Sequence, residues 1–277
     1  MLGRQVGRGR FPLAPGQQPM AMASNAKTLG AVRRAPTVAS RGAAKGEPGF
    51  ATLPAGLSAH VTVLRTRRGQ TLTLASAGDL AFIVRSGVLM LHVTLPDSAR
   101  QGVALLFPGD LIQSGFAPPH AKATLVAASA GEVWRMSFAA VETLAAGDPA
   151  VMRYLSDAVA SWIARQAIHA ATLGQLDCEQ RVATLLVELA LRTGAGSPQG
   201  FVFDLPFSRK DIASYLGLNP DTLSRIMSRF RAAPFFGHID RNRVVVRDFA
   251  ALAALSPAAQ SLMAMSGAQS PLLGANG

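Results

Sequence analysis

Between Ser208 and Arg231 the chain reads SRKDIASYLGLNPDTLSRIMSRFR, and its second half sorts its residues onto two faces of a helix. Leu223, Ile226, Met227 and Phe230 recur at i, i+3, i+4 and i+7, the spacing of a buried stripe. Asp221, Ser224, Arg225, Ser228 and Arg229 fall on the opposite face. A carboxylate, hydroxyls and guanidinium groups in such a row have short or two-pronged hydrogen-bonding reach, which suits a helix entering a major groove by its N-terminal half.

Such a face works only if its helix is held at a fixed angle, and the preceding residues supply the means. Ser208 caps a short helix whose inward residues are Ile212, Ala213 and Leu216, with Ala213 small where a second helix must cross closely. Gly217 stands where the turn needs a left-handed backbone, which glycine adopts cheaply. Asn219 caps the next helix and Pro220 takes its first position, where no amide donor is missed. After it, Ile239 to Val246 reads as strand, polar turn, strand, a β wing that places Arg241 and Arg243 to meet phosphates. Residues 207–247 hold eight Lys/Arg against three acids, so the local charge agrees with a polyanionic partner.

The whole-chain charge of +11 is a weaker argument, because residues 1–50 carry eight Lys/Arg and one acid. That segment, rich in Gly, Pro, Arg and Ala, reads as a disordered basic arm. It also has the Arg-rich, acid-poor character of a mitochondrial presequence, and Met20 and Met22 offer alternative starts. With 49% apolar and 16% charged residues the remainder should fold. The single cysteine, Cys178, excludes a disulfide framework, a cysteine zinc site and an iron–sulfur cluster held by this chain alone, and fits a reducing, cytoplasmic setting. The charge-free stretch from Phe249 to Gly277 is too interrupted to span a bilayer, so no membrane partner is expected.

Upstream, Val61–Leu64, Thr71–Leu74, Leu80–Val84, Val88–Val93 and Val103–Phe107 are short apolar runs separated by Gly, Pro and Asp, as in a small barrel or sandwich. From Asp148 the period becomes helical. Met152, Leu155, Val159, Trp162, Gln166, His169, Leu173 and Leu176 alternate spacings of three and four, a heptad seam on a helix of about 27 residues, ~40 Å long. A parallel homodimer would bury that seam; an ordinary amphipathic packing helix is the alternative. Asp177 then caps a helix over Cys178–Arg192, which Thr193-Gly194 ends, and Gly196, Ser197, Pro198 and Gly200 mark a loop.

This order of β-roll, long helix, Leu176-Asp177 hinge and winged helix resembles the Crp/Fnr superfamily of transcription regulators over about residues 57–255, with Leu106-Phe107-Pro108-Gly109-Asp110-Leu111 like the family's strand-turn signature. The resemblance implies an α+β fold: a cyclic-nucleotide-binding-like β-roll (51–147), a dimerisation helix (148–176), a C-terminal winged helix-turn-helix (177–255) and a tail (256–277). It implies base reading by Asp221, Ser224 and Arg225 on a TTGA-like palindrome, since Arg can bond guanine O6/N7 and an acid can accept from cytosine N4. Phosphate contacts would come from Ser208, Arg209, Asn219, Thr222, Arg229, Arg241 and Arg243. The partners implied are double-stranded DNA, a second copy and RNA polymerase. Asp221 stands where the family usually has Glu, one methylene longer, which alters the expected half-site preference.

The sensor half departs further. Cyclic-nucleotide binders of the family carry Gly-Glu after the turn and Arg-Ser-Ala later; here the aligned residues are Gln113-Ser114 and Ala121-Lys122-Ala123. Cyclic-AMP dependence is therefore not expected, nor is any cofactor or metal; the alternative is a small-molecule sensor of the same family, or a haem sensor through His60, His92 or His120. An enzyme is rejected, because these histidines form no His-x-His and lie near no acid pair. Cys178, in the first turn of its helix beside the hinge, is a candidate for redox control, against the alternative of a half-buried filler.

Overall fold

The computed structural model describes residues 54–74, 79–197, 200–239 and 242–266. The basic arm, Arg241 and the last eleven residues of the expected tail lie outside the described residues.

Eight strands make the first half: β1 (Thr62–Thr66), β2 (Thr71–Thr73), β3 (Leu80–Ser86), β4 (Leu89–Thr94), β5 (Gln101–Leu106), β6 (Leu111–Gln113), β7 (Lys122–Ala127) and β8 (Gly131–Ser137). They pair antiparallel in two sheets, β1-β8-β3-β6 and β2-β7-β4-β5. Side chains alternate along a strand, so each sheet has two faces to bury. Phe82, Val84, Leu89, Leu91, Ala104, Leu106, Ile112, Leu125 and Val133 point between the sheets and fill that space. Their neighbours Ala81, Ile83 and Met136 pack outward on helical segments, whereas Val88, Met90, Leu105 and Phe107 pack outward on the C-terminal domain. Burial on both faces explains why β3 and β4 read as continuous apolar runs rather than alternating ones.

After β8, α1 (Phe138–Gly147) and α2 (Pro149–Gln175) follow. Asp148 caps α2, accepting from the Ala150 amide at 2.8 Å. Asp177 caps α3 (Cys178–Thr193) and shares a capping box with Gln180. The residues expected to form a loop instead make a hairpin, β9 (Ala195–Ser197) with β10 (Gly200–Asp204). Then come α4 (Arg209–Leu216), α5 (Pro220–Ala232), β11 (Phe236–Ile239), β12 (Arg243–Val246), α6 (Phe249–Ala254) and α7 (Ala259–Met265), with sheet order β11-β12-β10-β9. The expected tail is corrected at its start: Ala259 and Leu262 of α7 are buried in the same core as α3, so the domain continues past residue 255.

Candidate nucleic-acid interface

The turn between α4 and α5 is built as the residue types require. The Ser208 side chain accepts from the Asp211 amide at 3.1 Å. Gly217 closes α4 at φ 61°, ψ 38°, a left-handed conformation in which a Cβ would be strained. Asn219 accepts from the Asp221 amide at 2.8 Å and Pro220 opens α5. Ile212, Ala213 and Leu216 from α4 meet Leu223, Ile226, Met227 and Phe230 from α5 in one buried cluster. With that stripe fixed inward, Asp221, Ser224, Arg225, Ser228 and Arg229 are all exposed along the other face of α5.

The residues expected to touch phosphate are placed less uniformly. Ser208 and Asn219 serve as caps, and Thr222 is half-buried in the first turn of α5. Arg229 pairs with Glu179 of α3 at 2.7 Å, which ties the far end of α5 to the start of the domain. Arg209 is half-buried with Nη1 enclosed and unpartnered; burial, and then Arg231, push its pKa below the ordinary arginine value. Arg243 is exposed at the start of β12, in register with Asp204 of β10. Cys178 is exposed beside the Glu179–Arg229 pair.

The structure divides the heptad seam of α2. Met152 and Val159 are 50% and 39% exposed, and Ile163, which the heptad reading left out, is 61% exposed. Leu155 instead packs on the cluster beneath the first sheet, and Trp162 stacks on Phe116 of the β-roll with ring centroids 5.9 Å apart. His169 stacks on Tyr215 of α4 at 4.1 Å, and burial pushes its pKa down to about 4, so the ring is neutral. Gln166 and Leu173 are half-buried, as is Leu176 at the end of the helix. Leu155, Trp162 and His169 of the expected seam therefore serve packing within the chain, because β-roll and α4 flank the helix on that side.

At the positions aligned above with the cyclic-nucleotide contacts, Ser114 and Ala123 are buried. The Ser114 Oγ accepts from the Leu80 amide at 3.0 Å, Ala123 lies in the inter-sheet core, and Lys122 is exposed. Phe116 and Trp162 close over that core. Of the candidate haem ligands, His60 and His120 are exposed, while His92 is 1% exposed and turned toward Asp211 of α4 at 3.9 Å. Among the described residues no group of three or more His, Cys, Asp or Glu is placed to hold a metal, and no helix is long and apolar enough to cross a membrane.

Sequence reasoning missed the contacts that hold the two domains together. Asp110, in the turn between β5 and β6, receives Arg165 of α2 at 2.8 Å and Arg192 of α3 at 2.9 Å on the same oxygen, while its other oxygen accepts from the Phe107 amide. Further along β5, the Gly102 amide donates to Ser214 Oγ at 3.0 Å, and Gln101 donates to the Ser214 carbonyl. A Cβ on Gly102 would come within 3.0 Å of Met90 Sδ and 3.4 Å of Tyr215, so glycine permits the close approach of α4. The only sequence signal for this was the Pro108-Gly109-Asp110 turn itself, and a lone acid does not reveal its partners.

Residues 180–255 match the Crp-like helix-turn-helix domain. The chain is 28% identical over 169 residues to the transcriptional regulatory protein btr of Bordetella pertussis, a match covering 60% of this chain and 70% of that protein. It is 29% identical over 146 residues to the nitrogen fixation regulation protein FixK of Bradyrhizobium diazoefficiens, covering 53% of this chain and 61% of the relative's length. Among solved structures, FixK2 from Bradyrhizobium japonicum superposes with a TM-score of 0.62 at 26% identity, covering 71% of this chain and 97% of that one. The winged helix with its exposed α5 face, the β-roll before it and these matches agree: the chain carries a Crp-like helix-turn-helix domain at residues 180–255 and is similar over its described length to transcription regulators of the Crp/Fnr superfamily.

Proposed function

We propose that the chain is a sequence-specific DNA-binding transcription regulator that acts as a homodimer on a TTGA-like palindrome without cyclic AMP. The observation that carries this reading is the outward row of Asp221, Ser224 and Arg225 on a helix whose other face is locked into the core. A guanidinium in that row can make two hydrogen bonds to one guanine, and a carboxylate can accept from cytosine N4. Arg243 on the wing supports backbone contact, a role that positions the protein without reading sequence. RNA polymerase would be the further partner, and the cytoplasm the place of action.

Dimerisation is supported by the face of α2 left outside the intramolecular packing. Met152, Val159 and Ile163 lie along it with the small exposed residues Ala160, Ala167 and Gly174, so a second α2 could approach closely. Independence from cyclic AMP is supported by Ser114 being committed to the Leu80 amide and by the Phe116–Trp162 stack over the inter-sheet core. A mobility-shift titration with a TTGA-palindrome duplex and a scrambled duplex, at several salt concentrations and with and without cyclic AMP, tests all of this together. The reading requires preference for the palindrome, a steep salt dependence on both duplexes and no response to the nucleotide. Equal affinity for the two duplexes would refute sequence-specific binding.

A further inference from the structure

Asp110 has few ways to release its partners gently. It is 7% exposed, and one of its oxygens takes two guanidinium groups from two different helices. The β-roll, α2 and α3 thus meet on a single carboxylate. A second carboxylate lies within reach of the same two arginines. Glu188 sits one helical turn before Arg192 on α3 and is 9% exposed, and no hydrogen bond or salt bridge links it to another described residue. It lines two small cavities, both shared with Arg165.

We propose that Asp110, Arg165, Arg192 and Glu188 form a proton-operated junction that sets how firmly the winged-helix domain is held to the β-roll, with Glu188 taking up the proton. Neutral Glu188 leaves both arginines to Asp110. Ionised Glu188 competes for them, and a buried carboxylate without hydrogen bonds also favours opening, because opening gives it water. The groups facing it are Arg165 and His169 from α2, Arg181 and Arg192 from α3, Asp110 from the β-roll and Tyr215 from α4; α7 adds Leu262, Met265 and Ser266, none of them charged. His169 is neutral above pH 5 and Tyr215 is held well above the ordinary tyrosine value, so neither changes charge near neutrality. Burial raises the Glu188 carboxyl to about 7, opposed by Arg192 and Arg165 and reinforced by Asp110.

The sign follows from that direction. An acid whose pKa is raised by docking binds its proton more tightly in the docked state, so docking weakens as pH climbs from the ordinary carboxylate value through 7, and levels off above it. Between pH 5 and pH 8 the docked state of the full chain should lose stability by a factor on the order of a hundred relative to Glu188→Gln, a variant that cannot ionise. His92 and His169 are present in both proteins and cancel. The test measures thermal unfolding across that pH range together with hydrogen exchange at the Gly102 amide, which Ser214 of α4 covers. At pH 8 Glu188→Gln should melt higher than the unsubstituted chain and exchange Gly102 more slowly. Asp110→Asn should exchange Gly102 quickly at every pH. A flat pH profile in the unsubstituted chain, or the same profile in Glu188→Gln, would overturn the proposal.

Discussion

In the β-roll two buried polar side chains are bonded within the chain, Asp110 to Arg165 and Arg192 and Ser114 to the Leu80 amide, while the Thr66 hydroxyl and the His92 ring are buried without a hydrogen bond. In the winged helix the inward groups are almost all apolar, and in the polar row of α5 Asp221 and Arg225 are exposed while Arg229 pairs with Glu179. The two halves bury comparable apolar clusters, so the difference does not come from packing. It comes from where hydrogen-bonding capacity remains unspent. A side chain already bonded inside the protein offers little to a ligand, whereas Arg225 and Asp221 are exposed, as the proposed reading of base edges requires. Under the proposed function, recognition is concentrated in the winged helix.

The comparison is most strongly challenged by emptying the core beneath the reading face. Leu223 is fully buried under α5, and Leu223→Ala should cost about 2–5 kcal/mol of stability through lost burial and the cavity left behind. Denaturant titration would show it, and operator affinity should fall with the folded fraction. A smaller effect is expected on α2. Ile163→Glu places a charge on the exposed apolar face, and sedimentation should show loss of the dimer at micromolar concentration, with stability of the single chain within about 0.5 kcal/mol of the starting protein. A monomer before substitution would mean that this face meets something other than a second copy. The smallest expected effect is in the β-roll, where calorimetry with millimolar cyclic AMP should give no heat. Micromolar binding would show that the roll retains ligand-directed groups after all.

How much of this was legible in the sequence follows from the range of the signals. Ser208, Gly217, Asn219 and Pro220 act on their own backbone, and they stand in the structure as caps, left-handed turn and first helical residue. The reading face could be read for the same reason, since 3.6-residue periodicity is a local property. Strands β6 and β7 were not singled out among the apolar runs because three-residue Leu111–Gln113 is too short to show alternation, and Lys122–Ala127 carries little contrast. The α2 heptads showed that a face was apolar but not what would cover it. Trp162 goes to the β-roll and His169 to Tyr215, while Ile163, outside the heptad positions, is left exposed. The Asp110 junction brings together residues up to 82 positions apart, and nothing local foretells it.

The central claim is that α5 reads sequence through its exposed row, and Arg225→Ala tests it most directly. Arg225 is exposed and lies outside the core, so the variant should fold and melt like the starting protein. A two-pronged guanine contact is worth ~1–3 kcal/mol, lost once in each half-site of a dimer. Affinities of both proteins for a TTGA-palindrome duplex and for a scrambled duplex, measured at one salt concentration, should show palindrome binding reduced at least tenfold and scrambled binding changed far less. Equal losses on both duplexes would reduce Arg225 to a phosphate contact, and no loss on either would contradict the assignment of α5 as the reading helix.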